Sequence, residues 1–569
     1  DLDLDLDLDL DLDLDLDHDD ADGPLKGGAG FHVGHAAQSS SSAAGNHFSI
    51  FLGAILARAS DEQQREWVPK AINLEILGAY AQTELGHGSN VRALETTATF
   101  DETTDEFVVD SPTLTSMKWW PGCFGILATH AVVYARLLLG GKDHGIHEFM
   151  VQLRDHEHKP MPGIEVGDLG PKLGYNLVDN GYCRFNHVRI PRTHMLSRYQ
   201  HVTRQGEFVK AARITKGDSA TSDKLRYLVM ITVRSGMVHS AAWGIAQAAT
   251  VAIRYSAVRL QGFKNTRDDS LASGEYAVLD YQVQQYRLFK ALATAYAFHF
   301  AYQQVKAKLN AFRASLEQGD VSTLAELHAT AAGLKAFCTN QAGDLMEDCR
   351  RCCGGHGCLL SSGIAKAVSD FNAITPIAEG DQVILALQTA RFLVRAVKDL
   401  AAGKPVALQV LYLGQQLERP DFSDLTDLAR LVHAFKWRAR RSVLSAAAKF
   451  EARLSAGESF DRAWNQCAVA LMAAARDHCY LFILSEFVGG IEAIDDEPLK
   501  AVLRTLARHY ALVNLRENGV DWAGELTFEH VQAINSAIDH TLAAIRPNAV
   551  ALVDAFGISG MSVHRSLAP

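Results

Sequence analysis

The chain has no basic stripe, no unbroken apolar run of about 18 residues and no paired cysteine framework, and each absence closes off a class of function. The net charge of -11 looks acidic, but residues 1–22 hold 12 of the 66 acidic residues and no Lys or Arg. The remainder balances 54 acidic against 55 basic side chains, so neither nucleic acid nor an acidic partner is indicated and no membrane span is expected. The nine cysteines are an odd number in a long chain without a secretory signal, which points to reduced thiols inside a cell. Cys349, Cys352, Cys353 and Cys358, with His356 among them, outline a zinc site. However, Gly354 and Gly355 interrupt the group and the CxxC-to-CxxC separation of a zinc ribbon is missing. Buried thiols near a helix end are expected there, and no metal.

What is present is length and apolar content: 569 residues, 48% hydrophobic, enough for three or four domains at roughly 100–200 residues each. The (Asp-Leu) repeat of residues 1–17 would suit a strand by period, but its aligned carboxylates repel, so a low-complexity, disordered tail over 1–45 is expected, with Gly27–Gly45 as linker. A helical N-terminal remnant over 46–79 follows, read from FSIFLGAILA and the charged DEQQREW. The β-branched segments LETTATF, EFVVDSP, HAVVYARLLL and HEFMVQL, parted by turn residues, predict a middle β domain, barrel or sandwich, over 80–205. Helical periodicity then dominates. Arg226–Ala257, Tyr281–Leu309, Ala325–Cys353 and Ile384–Ala401 form a first C-terminal helical domain over 206–403, and Leu425–Leu454 and Phe460–Gly489 belong to a second over 404–569. The fold class is α+β, mostly α.

Three segments carry chemistry. Tyr80-Ala81-Gln82-Thr83-Glu84-Leu85-Gly86-His87-Gly88-Ser89-Asn90 reads as a turn whose glycines let backbone approach a planar ligand while Thr83 and Ser89 offer hydrogen bonds; an ordinary turn reads equally well. Lys118-Trp119-Trp120-Pro121-Gly122 sets two indoles before a turn, where Trp120 could flank a ring and Gly122 leave room for its edge; two core tryptophans are the plainer reading. In Thr375-Pro376-Ile377-Ala378-Glu379-Gly380-Asp381 a carboxylate follows apolar residues and precedes an amphipathic helix. Glu379 there is either a partly desolvated general base or a helix cap.

These segments, with DLGPKLGYNLVDNGY, RIPRTHML, RYSAVR at 254–259, LDYQVQQYRLF at 279–289, CCGGHG at 352–357 and LQTARFLV at 387–394, resemble the acyl-CoA oxidase family, in order from about Asn46 to Ser559. The resemblance implies the acyl-CoA dehydrogenase superfamily fold, a β domain between helical domains. It implies FAD held non-covalently at a homodimer interface, and fatty acyl-CoA and oxygen as reactants. Glu379 then matches the catalytic base that removes an alpha proton while hydride leaves the beta carbon. Thr83, Ser89, Trp120 and Gly122 match cofactor positions of the β domain. Arg259, with Gln261 beside it, matches an arginine that reaches the FAD pyrophosphate of the other subunit, for which a planar fork of donors is suited; a surface ion pair is the alternative. Gly354 and Gly355 match a glycine pair beside the cofactor. The peroxisome is implied by the family, although the final Ser566-Leu567-Ala568-Pro569 is not a Ser-Lys-Leu-type address. An acyl-CoA dehydrogenase using an electron-transfer flavoprotein, and an inactive flavoprotein subunit, are the competing readings. Two departures stand out. Asp381 and Val383 replace polar flavin contacts of related dehydrogenases, and the helical segment before Tyr80 is shorter than the family's, so part of the acyl tunnel wall is expected to be missing or rebuilt.

Overall fold

The computed structural model describes residues 43–210, 228–264 and 274–558. The (Asp-Leu) repeat, most of the linker, Arg226 and the chain end lie outside the described residues. The first helical segment is α1 (Ala43–Asn46), a π-helical turn over His47–Phe51 and α2 (Leu52–Arg58). α3 (Asp61–Ile72) follows, started by a capping box in which Ser60 and Gln63 satisfy each other's backbone N–H groups. The same Gln63 amide donates to Thr193 O and Met195 O at 2.7 Å, fastening α3 to the β domain. Arg58 completes the attachment. Its guanidinium is 4% exposed and forks onto Glu148, 2% exposed, at 2.9–3.1 Å.

The β domain is built on β1 (Gly78–Ala81), β2 (Thr97–Asp101), β3 (Glu106–Asp110), β4 (Lys118–Trp119), β5 (His130–Leu139), β6 (Lys142–Gln152), β7 (Ile164–Asp168), β8 (Gly181–Phe185) and β9 (Val188–Pro191). β5 is the spine of the main sheet: β1 and β2 run parallel along successive parts of one edge and β6 antiparallel along the other, with β3 and β9 continuing beyond β2. β4, β8 and β7 form a second sheet, and the alternating inward residues of both, among them Phe107, Val109, Phe149, Cys183 and Phe185, share one core. β1 departs from the sequence reading, which placed a turn from Tyr80 onward; its four residues GAYA are too short to show an alternation. A hairpin of β10 (Gln200–Val202) and β11 (Phe208–Lys210) closes the domain.

Long helices make most of the remainder, among them α4 (Leu228–Val258), α5 (Gln282–Glu317), α6 (Leu324–Cys352), α8 (Gln382–Ala401), α9 (Leu428–Ser455) and α10 (Phe460–Glu492). The short α7 (Ile364–Ile374) lies between α6 and α8, and α11 (Glu497–Glu517), α12 (Phe528–Ile545) and α13 (Ala549–Asp554) end the described chain. Buried alanines of α4, such as Ala241, Ala242, Ala249 and Ala252, let its axis approach α5 and α6 closely. A continuous core runs from Val238 to Ile558 across both helical blocks. A small hairpin, β12 (Leu260–Phe263) with β13 (Glu275–Ala277), interrupts the helices where only helix was expected. All nine cysteines are free and eight are buried, Cys358 being exposed. Among the described residues one helix, Phe460–Glu492, is long and apolar enough to cross a membrane, with a mean hydropathy of 1.5 over its most apolar stretch; 67% of that stretch is buried, as in a core helix.

The Arg58–Glu148 pair generates a prediction. Arg58→Met leaves a buried carboxylate without its cation, which costs about 3–5 kcal/mol. Hydrogen exchange is expected to show residues 43–72 losing protection well before the helical core, and unchanged protection there would contradict the role assigned to the pair.

Candidate active site

The turn between α7 and α8 is where local sequence and long-range packing meet. Ala378 N donates to Ile374 O at 2.8 Å, so α7 unwinds through one further turn before the chain reverses. Glu379 then sits in the left-handed region with φ 57°, and Gly380 follows at φ 117°. A side chain at Gly380 would strike Leu385 Cδ2 at 2.7 Å, so glycine is required there both for conformation and for space. Glu379 has no such licence, and an L-residue in this region costs roughly 1–2 kcal/mol. The surrounding structure holds it. Lys335, on α6 and 0% exposed, donates from Nζ to Pro376 O at 3.0 Å and Gly380 O at 2.7 Å. Arg234, on α4 and 7% exposed, donates from Nε to Glu379 O at 2.9 Å.

The helix-cap reading of Glu379 is resolved by its neighbour. The Asp381 carboxylate accepts from Val383 N at 2.8 Å and caps α8, which leaves the Glu379 side chain uncommitted to the helix. Burial raises the Glu379 pKa above its ordinary 4.5, against the opposing pull of Arg234 and Lys335. Burial likewise draws Lys335 down to about 8, although Glu379 works the other way. His328, beside Arg234 at 3.5 Å, is pulled down to about 4 by burial and by that guanidinium, so it is neutral at pH 7 and accepts from Arg234. The charge of Glu379 reaches two phenols of the β domain, Tyr80 on β1 and Tyr175 in the loop between β7 and β8; both are raised, chiefly by burial and further by this carboxylate. Glu379 therefore stands at the seam between the helical bundle and the β domain. The seam is tight nearby: Tyr175 N donates to Asp370 Oδ1 at 2.7 Å, and a Cβ on Gly174 would meet Ser369 O at 2.4 Å.

The segment after β1 is organised by a buried ion pair. Glu84 accepts from Lys118 Nζ at 3.0 Å, Thr96 Oγ1 at 2.6 Å, Thr96 N at 2.9 Å and Glu95 N at 2.7 Å. Burial works to raise its carboxyl, but Lys118 and the Thr96 hydroxyl together hold it below the ordinary value. Lys118, 0% exposed, also donates to Gln82 O and Tyr134 O, and burial brings it to about 8. Thr83 O accepts from Trp119 N at 3.0 Å, so the Thr83 loop and the tryptophan strand are zipped together. Trp119 stacks on Tyr182, whereas Trp120 has φ 84° and remains 47% exposed, an aromatic face turned outward. Ser89 is exposed on the same segment. Gly122 is also constrained by the chain's own packing: an added Cβ would clash with Asn46 Nδ2 and lie 3.1 Å from Val178 Cγ1.

Arg259, Gln261, Gly354 and Gly355 are brought together. They line an open cleft of about 510 Å³ with Tyr255, Val278, Cys352, Cys353, His356 and Leu359. Gly354 has φ 59°, and a Cβ on either glycine would meet nothing within 4 Å, so bare backbone faces the cleft. Arg259 is exposed, its Nη2 3.4 Å from Gln261 Oε1, and no carboxylate pairs with it among the described residues, which leaves the fork free for an anion. That donor set fits a phosphate-bearing cofactor such as FAD. Thr83, Ser89, Trp120 and Gly122 do not line this cleft. The sequence reading missed Arg234, Lys335, Tyr80 and Tyr175. A cation inside an apolar helical stretch, as in LVMITVRSGMV and AAGLKAF, was the available signal.

The chain is similar to known proteins along most of its length. Residues 227–394 match the acyl-CoA oxidase C-alpha1 domain, 427–568 acyl-CoA oxidase, 79–188 the acyl-CoA dehydrogenase middle domain and 15–77 the acyl-coenzyme A oxidase N-terminal domain. Peroxisomal acyl-coenzyme A oxidase 1 of Mus musculus is 41% identical over 532 residues, covering 91% of this chain and 78% of that one. A putative peroxisomal acyl-coenzyme A oxidase 1.2 of Arabidopsis thaliana is 41% identical over 526 residues, with 90% and 76% covered. Among solved structures, Arabidopsis thaliana acyl-CoA oxidase 1 superposes with a TM-score of 0.87 at 39% identity, covering 94% of this chain and 80% of that one. Caenorhabditis elegans acyl-CoA oxidase-1 complexed with FAD and ATP gives 0.87 at 36%, with 94% and 79% covered.

The raised pKa of Glu379 predicts a stability signature. A carboxyl whose folded pKa exceeds its unfolded value favours folding below the unfolded pKa and loses that contribution as pH rises through the folded pKa. The cofactor-free Glu379→Gln variant is therefore expected to melt above the parent at neutral pH and level with it in acid. A lower melting temperature at neutral pH would contradict the burial of this charge.

Proposed function

The chain belongs to the acyl-CoA oxidase family, and from that premise we propose that Glu379 is the base with which it removes an alpha proton from a fatty acyl-CoA. The protein is an FAD-dependent acyl-CoA oxidase, an oxidoreductase of fatty-acid β-oxidation, and its compartment is the peroxisome, as the names of its relatives state. The observation that carries the base assignment is the position of Glu379: at the seam, raised by burial, and relieved of helix capping by Asp381.

The residues divide the work. The Glu379 carboxylate takes the alpha proton, becoming a neutral acid that the apolar setting tolerates, and returns it to solvent after product leaves. Among the described residues the Glu379 N–H has no acceptor in the chain, so it is free to donate to the thioester carbonyl and make the alpha proton acidic. Arg259 and the bare backbone of Gly354 and Gly355 hold the cofactor's phosphates, with Gln261 beside them. Thr83, Ser89 and the exposed face of Trp120 serve its ring end, while Gly122 shapes the turn beneath. When bound, FAD supplies the acceptor for the beta hydride and passes the electron pair to oxygen, giving hydrogen peroxide.

Since Thr83, Ser89, Trp120 and Gly122 do not line the cleft of Arg259, a homodimer is read as completing each site, the cleft of one subunit meeting the tryptophan turn of its partner. Exposed Val258, Leu260, Phe263, Tyr276 and Leu360 near the cleft supply apolar surface for such an interface.

Anaerobic fatty acyl-CoA is expected to bleach the purified yellow protein and air to restore its colour with release of peroxide. Bleaching without reoxidation by air would instead favour a dehydrogenase. Glu379→Gln should keep FAD but slow bleaching by about 10²–10⁴-fold; undiminished bleaching would reject the base. Arg259→Ala should weaken FAD retention by about 1.5–3 kcal/mol, read as loss of yellow colour on dialysis.

A further inference from the structure

The turn that presents Glu379 is gripped from within the bundle by two cations that the reaction itself does not use. Lys335 lies in the middle of α6, among residues buried on every side, and its ammonium directs its hydrogen bonds to backbone: Pro376 O and Gly380 O, which bracket Glu379. Arg234 reaches from α4 to the carbonyl of Glu379 itself. Desolvating an ammonium is costly, and an apolar side chain would fill the same position in α6 without that cost. What an apolar side chain could not do is bridge two carbonyls across a left-handed turn. Prolonged order of a residue at φ 57° needs a surrounding that over-determines it, and three carbonyls turned onto two buried cations provide one.

We propose that Lys335 is a positioning residue for the reaction: by clamping Pro376 O and Gly380 O, with Arg234 on Glu379 O, it fixes the left-handed turn that presents the base at the seam. The proposal rests on the reading of Glu379 as the base. It also gives Lys335 an electrostatic effect at a distance. Glu379 is faced by Lys335 from α6, Arg234 from α4, Tyr80 from β1 and Tyr175 from the β7–β8 loop; Lys335 is faced in turn by Glu379, Asp381 and Arg234. Of these, Lys335 and Arg234 favour the ionised base, so removing the Lys335 charge shifts Glu379 further toward its neutral form.

The test is anaerobic flavin reduction by acyl-CoA in the holoenzyme, followed by stopped flow as a function of pH, for Lys335→Met, Lys335→Arg and Glu379→Gln beside the parent. Lys335→Met is expected to retain FAD and to be reoxidised by air at the parental rate. Its reduction should fall roughly 10–100-fold, the scale on which small misplacements of a catalytic group act, and its acid limb should move to higher pH. Lys335→Arg, which keeps the charge, should leave that limb in place and recover part of the rate. A merely structural lysine would lower the melting temperature of both variants without moving the limb, and Lys335→Met with parental rate and limb would overturn the proposal. An undiminished Glu379→Gln would reject the base reading instead, whereas an inert Glu379→Gln beside a normal Lys335→Met rejects only the clamp. Should Lys335→Met fail to hold FAD, Lys335→Gln is measured in its place; failure of both neutral variants to fold would overturn positioning in favour of stability.

Discussion

Two buried cations on the turn Pro376–Gly380 are the constraint on which the proposed active site depends. A carboxylate that must accept a carbon-bound proton has to be partly desolvated, and desolvation alone would leave it protonated and idle. Lys335 and Arg234 oppose that outcome without forming a side-chain ion pair with Glu379: they bind its backbone neighbourhood, so their charge is felt while the carboxylate stays uncommitted. Had either cation taken the carboxylate directly, the base would have been neutralised by its own support.

The fold serves this arrangement through four separate parts: two helices, a turn and the β domain. α4 and α6 carry the cations, the turn before α8 carries Glu379, the proposed base, and the β domain meets it with Tyr80 and Tyr175. The contact at Gly174, Tyr175 and Asp370 sets how near the β domain comes to the bundle, and it has no slack, since a single methyl at Gly174 would collide with the backbone of α7. On the far side of the chemistry, the Glu84–Lys118 pair ties the Thr83 loop to the tryptophan strand, so the turn at Trp120 rests on a rigid base.

Elements with strong local patterning were legible without a structure. The β-branched runs became β2, β3, β5 and β6, and five of the six helices read from periodicity fell within a few residues of their range, while α5 runs eight residues past Leu309 to Glu317 and α11 was not singled out. β1 was not legible because its four residues hold no pattern and its pairing is with β5, some fifty residues on. Glu379, Arg259 and the Gly354–Gly355 pair were singled out from motifs, and the structure places the last three in one cleft. The role of Asp381 as cap could be read only once the start of α8 was fixed, and that is what separates the base reading from the capping one. Gly122, singled out for a ligand, carries a packing constraint against Asn46 that the sequence did not show. Lys335 and Arg234 escaped notice because their partners lie 41 to 145 residues away and are backbone atoms, which leave no trace in the sequence.

The central claim, that Glu379 is the base for the alpha proton, is tested most directly with an acyl-CoA analogue deuterated at the alpha carbon and lacking beta hydrogens. With no hydride to transfer, the holoenzyme can only exchange the alpha position with water. The account predicts steady loss of deuterium with the parent protein and none above background with Glu379→Gln; equal exchange by both would contradict it.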